Sequence, residues 1–129
     1  IILAFDSAPF VDRAGPDLIV FENAFNNWIE TAFISVSDDG ENWFSFECDS
    51  HNQDDNYSGC AGVSPVFANS TNNIDPTDHL TAGGDAFDLA EVDLDMVKYV
   101  KITDSGQNSY SGTSGGFDLD AVIAIHIAK

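Results

Sequence analysis

Positive charge is scarce in this chain: of 129 residues only Arg13, Lys98, Lys101 and Lys129 are basic. Phosphate backbones and anionic membranes are held by clustered Lys and Arg, so nucleic acid is excluded as a partner and anionic membranes are disfavoured. No apolar run approaches the ~18 residues of a membrane-spanning helix. No basic, then apolar, leader stands before IILAFD, which already reads as a strand, so the segment is expected to be mature or trimmed. Cysteine is limited to Cys48 and Cys60, too few for a four-cysteine zinc site. The three histidines do not build a nucleophile–base arrangement: His51 and His79 fall in loop-like stretches and His126 in an apolar run, where it reads as a packed or edge residue. The chain is also short for a glycosidase, and none of its carboxylates sits in a distinctive apolar pocket sequence. A non-catalytic protein is therefore expected. Helical periodicity is missing too; only residues 86–96 could form a short helical turn.

What is present is a core. Hydrophobic residues make up 43% of the sequence and Phe occurs ten times, enough to fold one domain over residues 1–129 despite a net charge of -18. Short β-rich runs at 1–6, 17–24, 30–38, 43–48, 65–69, 97–103 and 117–128 alternate with Gly, Pro, Asn and Asp clusters. In 31–37, Ala32, Ile34 and Val36 alternate with Phe33, Ser35 and Ser37, the period of a two-faced strand. This pattern predicts an all-β fold, an antiparallel β-sandwich of jelly-roll type. One connection, residues 49–86, is long enough to need tethering. A Cys48–Cys60 disulfide, closing the loop DSHNQDDNYSG, is expected to tie its first part, with two free buried thiols as the alternative, and a cation could secure the second part. The disulfide would imply an oxidising, extracytoplasmic compartment. Two glycosylation triplets, Asn56-Tyr-Ser58 and Asn69-Ser-Thr71, occur in the same connection.

Seventeen aspartates stand against five glutamates. Metal binding, adaptation to high salt and plain solubility all produce acidity, but the bias toward the short, stiff Asp favours a hard cation. Calcium takes about six to eight oxygen ligands. No EF-hand loop is present, so a site would have to be assembled from distant segments. The expected ligands are Asp17, Glu22, Asp85, Asp88, Asp118 and Asp120, which lie beside apolar residues where an unneutralised carboxylate is costly. A second acidic group, Asn72, Asn73, Asp75 and Asp78 around Pro76, reads first as turn chemistry.

The segment Ser37-Asp-Asp-Gly-Glu-Asn-Trp43 reads as a hairpin, with Trp43 expected to pack on the core. ISVSDDGENW resembles the hairpin of discoidin-like, galactose-binding-like sandwiches. Gly15-Pro-Asp-Leu-Ile-Val-Phe-Glu-Asn23, Gly83-Gly-Asp-Ala-Phe-Asp-Leu-Ala90 and Gly116-Phe-Asp-Leu-Asp-Ala-Val122 extend the likeness from about residue 9 to 125. Together they resemble a family of bacterial secreted and cell-surface modules that carry PDxxVFEN, AGxxxFDLA and FDLDAV patterns in this order. The resemblance implies a galactose-binding-like sandwich and a secreted or cell-surface location. A glycan site needs an exposed aromatic platform, for which Trp28, Tyr57 and Tyr110 are the candidates, Trp28 also reading as a cover for the core edge. The expectation is a calcium-stabilised module binding glycan or a neighbouring surface protein. The alternative is a structural subunit that self-associates into a surface layer or filament through calcium and strand edges.

Overall fold

The computed structural model of the chain describes residues 1–22, 28–110 and 115–129. Among these residues the protein is nearly all β, with antiparallel pairing and no α-helix. The strands are β1 (Ile2–Ala4), β2 (Phe10–Val11), β3 (Leu18–Glu22), β4 (Glu30–Ser37), β5 (Phe44–Ser45), β6 (Asp85–Phe87), β7 (Met96–Val97), β8 (Tyr99–Asn108) and β9 (Leu119–Ala124). A four-stranded sheet ordered β1-β8-β4-β5 faces a three-stranded sheet ordered β6-β3-β9, and β2 pairs with β7 as a separate ribbon.

The register follows from period-two alternation. Leu18 and Val20 of β3, Ala32, Ile34 and Val36 of β4, and Val100 and Ile102 of β8 all enter the core between the sheets. Even-numbered positions of these strands therefore face inward. Ile34 pairs with Ile102 and Val36 with Val100 across one sheet; Leu18 pairs with Phe87 across the other. Each fully buried Val, Leu or Ile in this stripe contributes about 1.5–3 kcal/mol.

β3 is buried on both faces. Its odd positions, Ile19 and Phe21, meet Ala82 in a second apolar cluster, over which Val66, Ala68 and Ile74 are packed. A cavity of about 310 Å³, lined by Phe21, Val66, Ile74, Pro76 and Ile123 among others, remains between this loop and the sheet. The expected strand at 65–69 does not form. Val66 and Ala68 cover the sheet while Phe67 is exposed, and among the described residues of the run only Val66 makes a bridge, to Gly83. The disulfide Cys48–Cys60 is present. The second half of the long connection is tied at its base by Asp85, which accepts the backbone N–H groups of Gly62, Val63 and Ser64 at 2.8–3.1 Å.

Other boundaries shift for similar reasons. The run 43–48 shortens to Phe44–Ser45, and 117–128 to Leu119–Ala124 with an isolated bridge from Ile127 to Phe10. β8 instead outruns the expected 97–103 run by five residues, 104–108, because pairing with β4 holds the polar end in place. The helical turn foreseen in 86–96 is the single 3-10 turn Leu89–Val92. Trp43 is not in the core; its ring lies under Lys101 Nζ, 4.2 Å away. The 37–43 hairpin forms as read, with Asp39 accepting from the backbone of Glu41 and Asn42. Residues 23 and 24, at the end of the expected 17–24 strand, lie outside the described residues.

Candidate functional site

Carried to its end, the inward alternation runs from apolar side chains into carboxylates. Leu18 and Val20 are followed by Glu22; Val36, Ile34 and Ala32 are preceded by Glu30; Val100 and Ile102 lead to Asp104, which pairs with Ala32. On β6, Phe87 gives way to Asp85, which pairs with Val20. Strands of both sheets thus place an acid in the core phase at the same end of the sandwich. β9 adds Asp118 and Asp120 there. A bulge pairs Phe21 with Ala121 but Glu22 with Leu119, leaving Asp120 as the extra residue.

Glu22 is the centre of this end. It is only 4% exposed, and its Oε2 is buried with no hydrogen-bond partner among the described residues. Burial pushes its carboxyl up to about 7, and the neighbouring Glu30, Asp118, Asp85 and Asp120 push in the same direction. Asp85 is also raised by burial, against three backbone N–H bonds that favour its charged form. Glu30 is buried and accepts the Tyr110 phenol at Oε1. The chain that follows approaches closely: a Cβ at Gly115 would lie 2.4 Å from Glu30 Oε1, and Gly115 has φ +91°. A glycine is required there by both space and backbone angle.

Asp17 sits at the opposite end of β3, roughly 16 Å away at ~3.3 Å per residue. It is fully buried, but all its oxygens are occupied. Oδ1 accepts the Arg13 N–H at 3.0 Å and contacts His126 Nδ1 at 2.8 Å; Oδ2 accepts the Leu89 N–H at 2.9 Å. Asp88 lies nearby and caps the 3-10 turn through Ala90 N–H. Carboxylate oxygens of Asp12, Asp17 and Asp88 come within 4.8 Å of one another. Asp12 is raised by desolvation, then by Asp17, Asp88 and Asp95. A cation here would share Asp17 oxygens that already accept hydrogen bonds joining three chain segments.

The six expected ligands therefore do not form one site. Glu22, Asp85, Asp118 and Asp120 gather at one end, while Asp17 and Asp88 lie at the other. Sequence reading missed Glu30, Asp104, Asp12 and the Asp17 partner His126. Glu30 and Asp104 had a legible signal, being acids in phase with an apolar stripe. His126 had none, because its partner is 109 positions away. Asn72, Asp75 and Asp78 accept local N–H and hydroxyl groups, as turn formers do.

The aromatic candidates also separate. Trp28 is 50% exposed and stacks on Tyr110, ring centroids 4.2 Å apart and planes inclined by 21°. Tyr110 donates to Glu30, and that bond, followed by burial and the Glu30 and Asp104 charges, pushes its hydroxyl up to about 12. Tyr57, by contrast, is 4% exposed, so its ring is not an open platform. No protein-family model, curated protein or solved structure matches the chain.

Proposed function

We propose that this chain is a non-catalytic, calcium-stabilised β-sandwich module of galactose-binding-like, jelly-roll type. We place it in a secreted or cell-surface protein, binding glycan or a neighbouring surface protein through the Trp28–Tyr110 pair. The observation that carries the reading is the Glu22 Oε2 atom, buried without a donor among the described residues and with other carboxylates acting on it. An ionised carboxylate so placed is stabilised by a cation, and the donor set is all oxygen, the chemistry Ca²⁺ prefers. Glu22, Glu30 and Asp118 are the residues that would hold the ion. Asp85 contributes charge, since its oxygens already tie down residues 62–64. The Cys48–Cys60 disulfide and the family resemblance support an oxidising, extracellular setting.

Thermal unfolding in low salt, with Ca²⁺ and with EDTA, tests this directly. Saturating calcium at about 100 times its dissociation constant stabilises by about 2.7 kcal/mol. A melting temperature indifferent to both additions would remove the metal. The same stabilisation by sodium chloride alone would assign the acidity to salt adaptation.

A second reading, a self-associating subunit of a surface layer or filament, has its own support. Ile2 on edge strand β1 is 57% exposed and Phe44 on edge strand β5 is 41% exposed, so both edges of the four-stranded sheet carry open apolar side chains. Sedimentation with and without EDTA separates the two: calcium-dependent polymers favour assembly, and a monomer in both conditions favours the binding module.

A further inference from the structure

We propose that the cavity between the 65–76 loop and strands β3 and β9 binds a small cationic amphiphile, an aromatic ring joined by a short chain to a protonated amine. Its volume of about 310 Å³ lies at the lower end of small-molecule sites, ~300–1,000 Å³, and far above the voids of a close-packed interior. Phe21, Val66, Ile74, Pro76, Ala121 and Ile123 form the apolar walls. Water finds few partners against such walls, whereas a ring gains contact on every side. The roof is held by polar bonds of its own. Phe67 and Ala68 N–H both donate to the Ala82 carbonyl, at 2.8 and 3.0 Å. Asn72 Nδ2 donates to the Phe67 carbonyl at 2.8 Å, and its Oδ1 accepts the N–H groups of Asn69 and Ile74 at 3.2 Å. With the loop fixed in this way, the space over Phe21 is preformed.

The head group follows from the polar part of the lining, Asn69, Ser70 and Asp120, all exposed. Asp120 is the extra residue of the β9 bulge, the kind of position that re-aims a side chain. It brings charge to the lining, and none of the chain's four basic residues joins it there. A carboxylate or phosphate head would meet an acid in a chain of net charge -18, with no base to hold it. An ammonium meets its counter-charge in Asp120, and an alcohol meets only hydrogen-bonding partners. Glu22, Glu30 and Asp118, which would hold calcium, are not lining residues, so binding here does not rest on the metal reading.

The test titrates the full chain, in EDTA at low salt and neutral pH, with phenylpropylamine, phenylpropanol and phenylpropionate. These probes share one apolar body and differ in head-group charge. Calorimetry gives the affinities, and amide chemical shifts of Val66, Ile74 and Ile123 give the location. The amine should bind most tightly and the carboxylate most weakly, about tenfold or more apart. Asp120→Asn should bring the amine down to the affinity of the alcohol and leave the alcohol unchanged. Ala121→Phe fills the cavity and should abolish binding of both. If that variant does not melt cooperatively, the shift map on the parent chain decides the location. No binding of the amine, shifts confined elsewhere, or full affinity in a folded Ala121→Phe would overturn the site. Equal affinity for all three probes, or an amine preference that survives Asp120→Asn, would overturn the assigned ligand class. The calcium melt on the same samples keeps the two readings apart: amine binding by a chain that calcium does not stabilise removes the metal and supports the cavity site.

Discussion

Asp17 and Glu22 bracket the same buried strand, and both side chains are withdrawn from water, 0% and 4% exposed. Their surroundings are opposite. Asp17 faces donors: two backbone N–H groups and the His126 ring. Glu22 faces acids, and its Oε2 has no hydrogen-bond partner among the described residues. Burial alone is therefore a poor sign of a metal site. The decisive quantity is whether the folded chain supplies donors for the charge it hides. Asp17 is a fastener that joins residue 13, residue 89 and residue 126; Glu22 is a buried carboxylate whose Oε2 has no such fastening among the described residues.

The largest effect should come from breaking the fastener. Asp17→Ala leaves the Leu89 and Arg13 N–H groups and the His126 ring without their acceptor, and the expected loss is about 3–5 kcal/mol. Urea unfolding measures it, and calcium should stabilise the variant as much as it does the parent. The opposite sign is expected at the other end. Glu22→Gln removes an uncompensated charge, so the metal-free variant should be more stable than the parent at pH 8, by about 2–3 kcal/mol, while losing its response to calcium. A destabilised Glu22→Gln at that pH would show that Glu22 has a donor after all.

The same comparison has a pH form. A carboxyl raised to about 7 binds its proton more tightly in the folded state than in the unfolded one, where the value is 4.5. The contribution of Glu22 to folding stability without metal should then be largest below the unfolded value and fall as pH rises from 4.5 to about 7, levelling off above. In Glu22→Gln this decline should disappear, so the difference between the two proteins should be near zero at pH 4 and fully developed at pH 8.

A smaller effect lies at Gly115. Gly115→Ala places a Cβ against Glu30 Oε1 on a backbone at φ +91°. The strain costs about 1 kcal/mol, and displacing Glu30 should also weaken the calcium-induced rise in melting temperature.

The alternation that builds the two ends was legible in the sequence, because Ala32, Ile34 and Val36 bury one face of β4 whatever else the chain does. The disulfide and the 37–43 hairpin were legible for the same reason: they depend on residues close in sequence. Glu22, Asp85, Asp118 and Asp120 were picked out as acids next to apolar neighbours, and the structure groups them. Asp17 and Asp88 met the same criterion and were grouped with them wrongly, since local sequence does not say which end of a strand meets which donors. Glu30 and Asp104 were passed over although both continue an apolar stripe in phase. The run 65–69 looked like a strand because Val66 and Phe67 are β-formers; its pairing stops at a single bridge to Gly83, with Val66 and Ala68 packed over Ile19 and Phe21. Tyr57 looked like a loop aromatic; its burial was not visible in a polar, disulfide-closed segment.

The smallest expected effect discriminates most sharply between the two ends. Asp12, Asp17 and Asp88 have carboxylate oxygens close enough to share a cation, so proximity alone would favour the Asp17 end as the calcium site. N–H donors on both Asp17 oxygens and on Asp88 Oδ1 weigh against it, and Asp88→Asn separates the arguments. Asn caps a turn about as well as Asp, so Ala90 N–H keeps an acceptor and stability should change by no more than about 0.5 kcal/mol. Asn is nevertheless a weaker calcium ligand for want of charge. The calcium-induced shift in melting temperature should therefore be unchanged in Asp88→Asn and abolished in Glu22→Gln. If the shift vanishes in Asp88→Asn and survives in Glu22→Gln, the ends are reversed: the ion would sit at Asp17 in exchange for hydrogen bonds, and the bare Glu22 oxygen would be satisfied by a proton.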